Sequence, residues 1–92
     1  MILACRVDCI IYDAQSLKEK RAVLQRIMTR LSQRFNLAVS EIDFQDQWQR
    51  TRLGMVTISS SKKVAENEVR QALALIDSFP EIERAKTELE WL

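Results

Sequence analysis

The sequence predicts a small α+β domain in which two helices cover one face of a four-stranded antiparallel sheet. The chain has 92 residues, about one domain, and 47% of them are apolar while 29% are charged, which is typical of globular proteins. Two segments repeat apolar residues at the three-to-four spacing of an amphipathic helix, and four shorter segments have the apolar pattern of strands. Their order along the chain is strand, helix, strand, strand, helix, strand.

The first strand and the first helix occupy the N-terminal third of the chain. From Leu3 to Ile11 the odd positions are apolar, whereas the even positions include Arg6 and Asp8, as in a half-buried strand. Ser16 is placed to cap the helix, because its hydroxyl can accept a backbone N–H of the first turn. The helix is expected to end near Asn36. Its apolar stripe consists of Leu17, Leu24, Ile27, Met28, Leu31 and Phe35.

The middle of the chain is expected to form a hairpin. Residues 37–44 predict a second strand with a bulge at residues 40–41, because the apolar positions change parity there. Residues 45–50 are polar and predict the hairpin loop. Residues 53–59 are rich in β-branched and apolar side chains, which favours a third strand.

The second helix and the last strand complete the pattern. The helix starts in the serine run 59–61 and stops before Phe79 and Pro80. Its apolar stripe consists of Ala65, Val69, Ala72, Leu73 and Ile76. The last strand alternates Ala85, Thr87, Leu89 and Trp91 with Arg84, Lys86, Glu88 and Glu90.

The order βαββαβ predicts a single ferredoxin-like domain over residues 1–92, with strand order 4-1-3-2 and both helices on one face of the sheet. In this topology the C-terminal ends of strand one and of helix two lie at the same end of the molecule as the hairpin between strands two and three. Residues 13–21, 46–50 and 79–81 are therefore expected to share one end of the molecule.

Composition excludes several classes of enzyme. Histidine is absent and Gly54 is the only glycine, which excludes histidine-dependent catalysis and the glycine-rich loops that bind nucleotides. Cys5 and Cys9 lie about 13 Å apart in one extended strand, too far for a disulfide. Both are expected to be buried thiols in a reducing compartment. No nucleophile has a matched base, so we expect no enzymatic activity, no metal and no cofactor.

No apolar run approaches the roughly 20 residues that span a bilayer. We therefore expect a cytoplasmic protein without a membrane partner.

The first helix carries most of the positive charge. The net charge of the chain is only +1, but residues 17–34 contain six basic residues and one acidic residue, a net charge of +5. Arg26, Arg30 and Arg34 recur every four residues and line one ridge. A basic ridge beside an exposed aromatic can bind phosphates and stack a base. The candidate nucleic-acid-binding residues are Lys18, Lys20, Arg21, Arg26, Arg30, Arg34, Trp48 and Arg50.

The alternative interpretation is that this helix face is solvated and partly paired with acids such as Glu41 or Asp43. Trp48 would then pack on the domain near Phe79 and Leu17 rather than serve a partner. Acidic side chains near this end are expected to form ion pairs rather than to bind a cation.

A second functional hypothesis concerns the sheet face that the helices leave open. If that face is partly apolar, it can pair two copies in a homodimer that needs no nucleic acid. The apolar residues of such a patch would be Ile10, Tyr12, Leu53 and Met55. This assignment assumes that Val56 and Ile58 face the helices.

Four short motifs together carry a resemblance to a known family. They are A-Q-S-L-K-E-K-R at 14–21, F-N-L-A-V-S-E at 35–41, D-Q-W-Q at 46–49 and L-G at 53–54. In combination they resemble the YlxP-like family of small bacterial proteins, which has a ferredoxin-like fold and no established activity. Genes of this family neighbour, in some bacteria, those for translation initiation, ribosome maturation and transfer-RNA modification. The resemblance therefore implies an RNA or a ribosomal subunit as partner.

Overall fold

Six elements in βαββαβ order build the protein, which is described here by a computed structural model covering residues 1–92. They are β1 (Ile2–Ile11), α1 (Leu17–Arg34), β2 (Ala38–Asp43), β3 (Arg50–Ile58), α2 (Lys62–Asp77) and β4 (Ile82–Trp91). The strands pair antiparallel in the order β2-β3-β1-β4, which is the predicted order 4-1-3-2. The predicted ferredoxin-like fold is confirmed. Neither helix is long and apolar enough to cross a membrane.

Both helices begin at serine caps. The Ser16 hydroxyl accepts a hydrogen bond from the Glu19 backbone N–H at 3.1 Å, as predicted, and the Ser61 hydroxyl accepts one from Val64 at 3.3 Å. The Glu19 carboxylate in turn accepts the Gln15 backbone N–H at 2.7 Å. The Ser16 bond satisfies a backbone donor that the first turn leaves unpaired, and the Glu19 bond holds the residue before the cap, so together they fix where α1 starts.

The core lies between the sheet and the two helices. Its sheet side is formed by the odd positions of β1, Leu3, Cys5, Val7, Cys9 and Ile11, each at most 1% exposed. Its helix side is formed by Leu24, Ile27 and Leu31 of α1 and by Ala65, Val69, Ala72, Leu75 and Ile76 of α2. Both thiols are free and buried, as predicted. Burial raises the pKa of both, that of Cys9 to about 12.

The structure corrects the predicted orientation of β3. Leu53 and Met55 are buried beneath the helices, whereas Val56 and Ile58 lie on the open face, so the predicted assignment of the four residues is wrong. Val56 and Ile58 share their parity with Arg50, whose charge would be costly to bury under the helices. β3 also begins at Arg50 rather than at Leu53, because its ladder with β1 extends that far.

Two irregularities shape the ladders of the edge strands. The pairing of β2 with β3 shifts between Glu41 and Asp43, just after the predicted bulge. The pairing of β4 with β1 shifts so that Arg84 lies opposite buried Cys9, not on the face of Lys86 as predicted. The alternation of the sequence does not reveal this shift. A bulge is visible in a sequence only where apolar residues change from odd to even positions, and this segment is mostly polar.

The predicted meeting of the hairpin loop with the start of α1 is confirmed. The Gln49 side-chain amide donates to the Ala14 carbonyl at 3.2 Å, and the Ile11 backbone N–H donates to the Gln49 carbonyl at 2.9 Å. The segment 79–81, by contrast, contacts α1 further along, at Arg26 and Arg30.

Candidate nucleic-acid interface

The exposed side of α1 presents basic side chains, most of which form no ion pair. Leu24, Ile27 and Leu31 turn inward together with Lys20, and most other positions of the helix face water. Five of the predicted residues are exposed there: Lys18, Arg21, Arg26, Arg30 and Arg34. Of these, only Arg26 forms an ion pair. We call the other four the free cations of α1.

The predicted ridge of arginines lies on the side of α1 that faces the end of α2. Arg26 pairs with Glu81 at 2.6 Å, and this hydrogen bond holds the pKa of the Glu81 carboxyl below its usual range. The Arg30 guanidinium lies 5.0 Å from the centre of the Phe79 ring. Arg34 lies 5.6 Å from the ring of Phe35. Stacking on an aromatic orients a guanidinium without neutralising it, so Arg30 and Arg34 keep their charge for a ligand.

Lys20 is the one member of the predicted basic set that does not face water. Its side chain is 1% exposed, and its ammonium lies 2.9 Å from Glu41 Oε2. The same ammonium donates to the carbonyls of Phe44 at 2.6 Å and of Gln45 at 3.5 Å. The Thr51 hydroxyl also donates to Glu41 Oε2, at 2.6 Å. Lys20 is therefore a buried residue that links α1 to the hairpin. Its prediction as a phosphate-binding residue is corrected, because its ammonium is not accessible to a ligand.

The hairpin beside Lys20 presents an aromatic and cationic surface. Trp48 is 51% exposed, so it keeps about half of its surface in water. The Arg50 side chain is also 51% exposed, and its guanidinium stacks 4.0 Å from the centre of the Phe44 ring. Arg52 lies on the same ring at 5.0 Å. An exposed guanidinium held over a ring is a suitable platform for a base.

Phe44 adopts a left-handed backbone conformation, with φ of 62°. For an L residue this costs about 1–2 kcal/mol, so the surrounding structure must hold it. Its N–H donates to Asp43 Oδ1 at 2.8 Å, and its carbonyl accepts from Lys20 and from the Gln47 N–H at 3.0 Å. Sequence reasoning missed the roles of Phe44 and Arg52, because phenylalanine does not mark a positive φ and the contact between the two side chains depends on how the strands are paired.

Charged residues on the open sheet face pair with one another. Arg52 donates to both carboxylate oxygens of Asp8, at 2.5 and 3.2 Å, and also reaches Asp43 at 3.3 Å. The hydrogen bond from Arg52 holds the pKa of the Asp8 carboxyl below its usual range. Arg6 donates to Glu90 at 2.9 Å. These cations are neutralised locally, unlike the free cations of α1.

Comparison with known proteins places the chain in a family. Residues 2–89 match the family model described as "Protein of unknown function (DUF503)". The chain is also 57% identical over 91 residues to "Uncharacterized protein YlxP" of Bacillus subtilis (strain 168), which covers 99% of each chain. The resemblance carried by the four motifs is thus confirmed. The chain belongs to the YlxP-like family of unknown function, DUF503.

Proposed function

We propose that the protein is a cytoplasmic, non-enzymatic module that binds RNA on a ribosomal subunit through the exposed side of α1. The observation that supports this proposal is the set of free cations of α1, Lys18, Arg21, Arg30 and Arg34, which have no acidic partner. A phosphate backbone that meets such cations releases condensed counterions, which favours binding.

The spacing and chemistry of the ridge suit a phosphate backbone. Successive arginines of the ridge are separated by a rise of about 6 Å, since a helix rises about 1.5 Å per residue. A guanidinium can donate two parallel hydrogen bonds to one phosphate, which a lysine ammonium cannot match in geometry. Arg26, Arg30 and Arg34 share one ridge, and the Phe79 ring already orients Arg30.

The hairpin supports a preference for single-stranded or looped RNA. Trp48 and Arg50 are each about half exposed and lie near the start of α1, because Gln49 between them bonds to Ala14. Unstacked bases of RNA loops stack on such side chains while the backbone lies on cations. Stacking of one base contributes about 1–3 kcal/mol, so Trp48→Ala is expected to weaken binding about 5- to 150-fold.

The test is co-sedimentation of the protein with purified ribosomal subunits over a series of salt concentrations. The variant Arg30→Glu/Arg34→Glu reverses two free cations of α1. Its matched control, Lys63→Glu/Arg70→Glu, reverses two exposed, unpaired cations of α2 and changes the net charge by the same amount. Equal charge changes separate a local contact from general attraction between the protein and RNA.

We expect the unchanged protein to bind less tightly as salt rises. The α1 variant should bind more weakly. The slope of the logarithm of its binding constant against the logarithm of the salt concentration should become shallower by about one for each lost phosphate contact. The α2 variant should bind nearly as well as the unchanged protein. Absence of binding at low salt, or equal losses in the two variants, would refute the assignment to α1.

A further inference from the structure

The open sheet face has an apolar half and a charged half. The apolar half lies at the end where β1 begins; Glu90 of β4 lies beside Ala4 at its edge, and its apolar residues are Ile2, Ala4, Ala38, Ile42, Val56 and Ile58. The charged half lies at the end where β1 finishes and contains Asp8, Asp43, Arg52 and Lys86. Ile58 is 61% exposed and Val56 is 40% exposed, so the apolar half is in contact with water. Contiguous exposed apolar area of this kind typically marks an interface.

The only glycine of the chain shapes the apolar half. Gly54 has no positive φ, so its backbone conformation does not require glycine. A Cβ at this position would lie 3.0 Å from Cγ2 of Ile42, whose side chain covers the glycine. The result is an open groove of about 400 Å³ lined by Ile42, Val56 and Ala38, among others.

We propose that a second copy of this chain covers the open face, with the two sheets packed face to face. The two-fold axis lies between the two sheets, parallel to the strands and level with the boundary between β1 and β3. The strands of two sheets packed in this aligned way cross at about 30°. This axis places β1 of each copy over β3 of the other, and β2 over β4. Ala4 and Val56 are neighbours within one sheet, and under this axis they also face each other between the two sheets.

The charged half fits this axis, because its four-residue row of charges meets opposite charges in the same row of the second copy. Across β2, β3, β1 and β4 the register aligns Asp43, Arg52, Asp8 and Lys86. The signs of this row are negative, positive, negative, positive. Rotation about the axis reverses the order of the row, so each charge meets the opposite sign: Asp8 meets Arg52, and Lys86 meets Asp43. Electrostatic complementarity of this kind fixes the register of an interface.

The neighbouring row introduces no conflict. It aligns Ser40, Gly54, Arg6 and Glu88, so its two charges face a serine and a glycine of the other copy. The axis along the strands leaves the height of each row unchanged, so in the row of Ala38, Val56, Ala4 and Glu90 the apolar Ala4 and Val56 face each other and Glu90 faces Ala38 of the other copy. No pair of like charges is directly opposed in any of these rows.

The face is also large enough. β1 has ten residues, which at about 3.3 Å each give a length of about 33 Å. Four strands spaced about 4.8 Å apart give a width of about 19 Å, hence a flat footprint of about 600 Å² before side-chain relief is counted. A specific interface needs about 1,000 Å² of buried surface in total, or about 500 Å² from each partner, which this footprint exceeds. The two α1 helices would lie on opposite outer surfaces, so the dimer leaves the free cations of α1 exposed, whereas Arg50 lies on the open face opposite Ile10, at the end of the covered surface.

The test is sedimentation equilibrium of the full chain from micromolar to near-millimolar concentration. We expect a mass of twice 10.7 kDa for the unchanged protein. Val56→Glu places a charge in the apolar half and should weaken dimerisation at least tenfold. Val64→Glu is the matched control, because Val64 is 55% exposed on α2, outside the open face, and should leave the dimer intact. A monomer at all concentrations, or a Val56→Glu dimer as tight as the unchanged one, overturns the proposal.

A charge exchange tests the axis without touching the apolar half. Lys86→Glu should weaken the dimer, because it sets a glutamate against Asp43, whereas Asp43→Lys/Lys86→Glu should restore it. No effect of Lys86→Glu would show that the axis is wrong. Arg30→Glu/Arg34→Glu should remain dimeric, so loss of RNA binding and loss of dimerisation are measured separately.

Discussion

Replacing Lys20 by methionine should destabilise the protein strongly, although the residue lies in a run of charged side chains. The Lys20 ammonium is the positive partner of Glu41 and a donor to the Phe44 carbonyl. Methionine has a similar length, so the change removes the charge and the hydrogen bonds while it keeps most of the packing.

The expected loss is about 3 kcal/mol in the free energy of unfolding. Removing one partner of a buried ion pair costs about 3–5 kcal/mol, because the other charge stays buried without a partner. The lower end applies here, because the Glu41 side chain is 16% exposed and keeps its hydrogen bond from Thr51. For a domain of this size, a loss of about 3 kcal/mol lowers Tm by about 12–24 °C.

Urea and thermal unfolding followed by circular dichroism measure this loss. Lys18→Met is the control, because Lys18 is exposed on the same helix without an ion pair, and its replacement should change stability by less than about 0.5 kcal/mol. Lys20→Met/Glu41→Met should be more stable than Lys20→Met alone, since it also removes the unpaired carboxylate. A loss below about 1 kcal/mol for Lys20→Met would refute the reasoning.

Three further predictions concern the ion pairs, the thiols and the first helix cap. Asp8→Asn should cost about 1–2 kcal/mol at pH 7, because it removes a charged hydrogen bond to Arg52. Since folding lowers the pKa of Asp8, the stabilisation is present above the unfolded pKa of about 3.9 and is lost as pH falls through the folded value. Urea titrations should therefore show the two proteins converging at acid pH; a constant difference would contradict this. Cys5 and Cys9 should resist a thiol reagent at pH 8 in the native protein and react fully in urea, and rapid native reaction would contradict their burial. Ser16→Ala should cost about 1 kcal/mol by urea unfolding, since it removes the α1 cap, and an unchanged midpoint would argue against that cap.

The sequence was sufficient for the fold because local patterns and topology agree. The odd positions of β1 are apolar from Leu3 to Ile11, and the same residues form the sheet side of the core. Ser16 caps α1 where its type and position predict a cap. Such agreement between local preference and global packing makes an element predictable from a single chain.

The sequence was insufficient where tertiary partners decide the environment of a residue. Lys20 was grouped by its charge, but it lies three residues after Leu17 and four before Leu24, which is the spacing of the buried stripe. In β3 both parities are apolar after Leu53, so hydropathy alone does not orient the strand. The charges of Arg50 and Arg52 on one parity are the signal that assigns that side to the open face.

The buried ammonium of Lys20 limits how the hairpin between β2 and β3 can vary. The ammonium donates to the backbone carbonyls of Phe44 and Gln45, which are present whatever the side chain, and to the carboxylate of Glu41. Substitutions in residues 45–48 leave these backbone acceptors in place. An inserted or deleted residue moves these carbonyls. The buried Lys20 ammonium then lacks acceptors, at a cost of several kcal/mol. Among relatives that keep the lysine, the hairpin is therefore expected to change in composition and to keep its length.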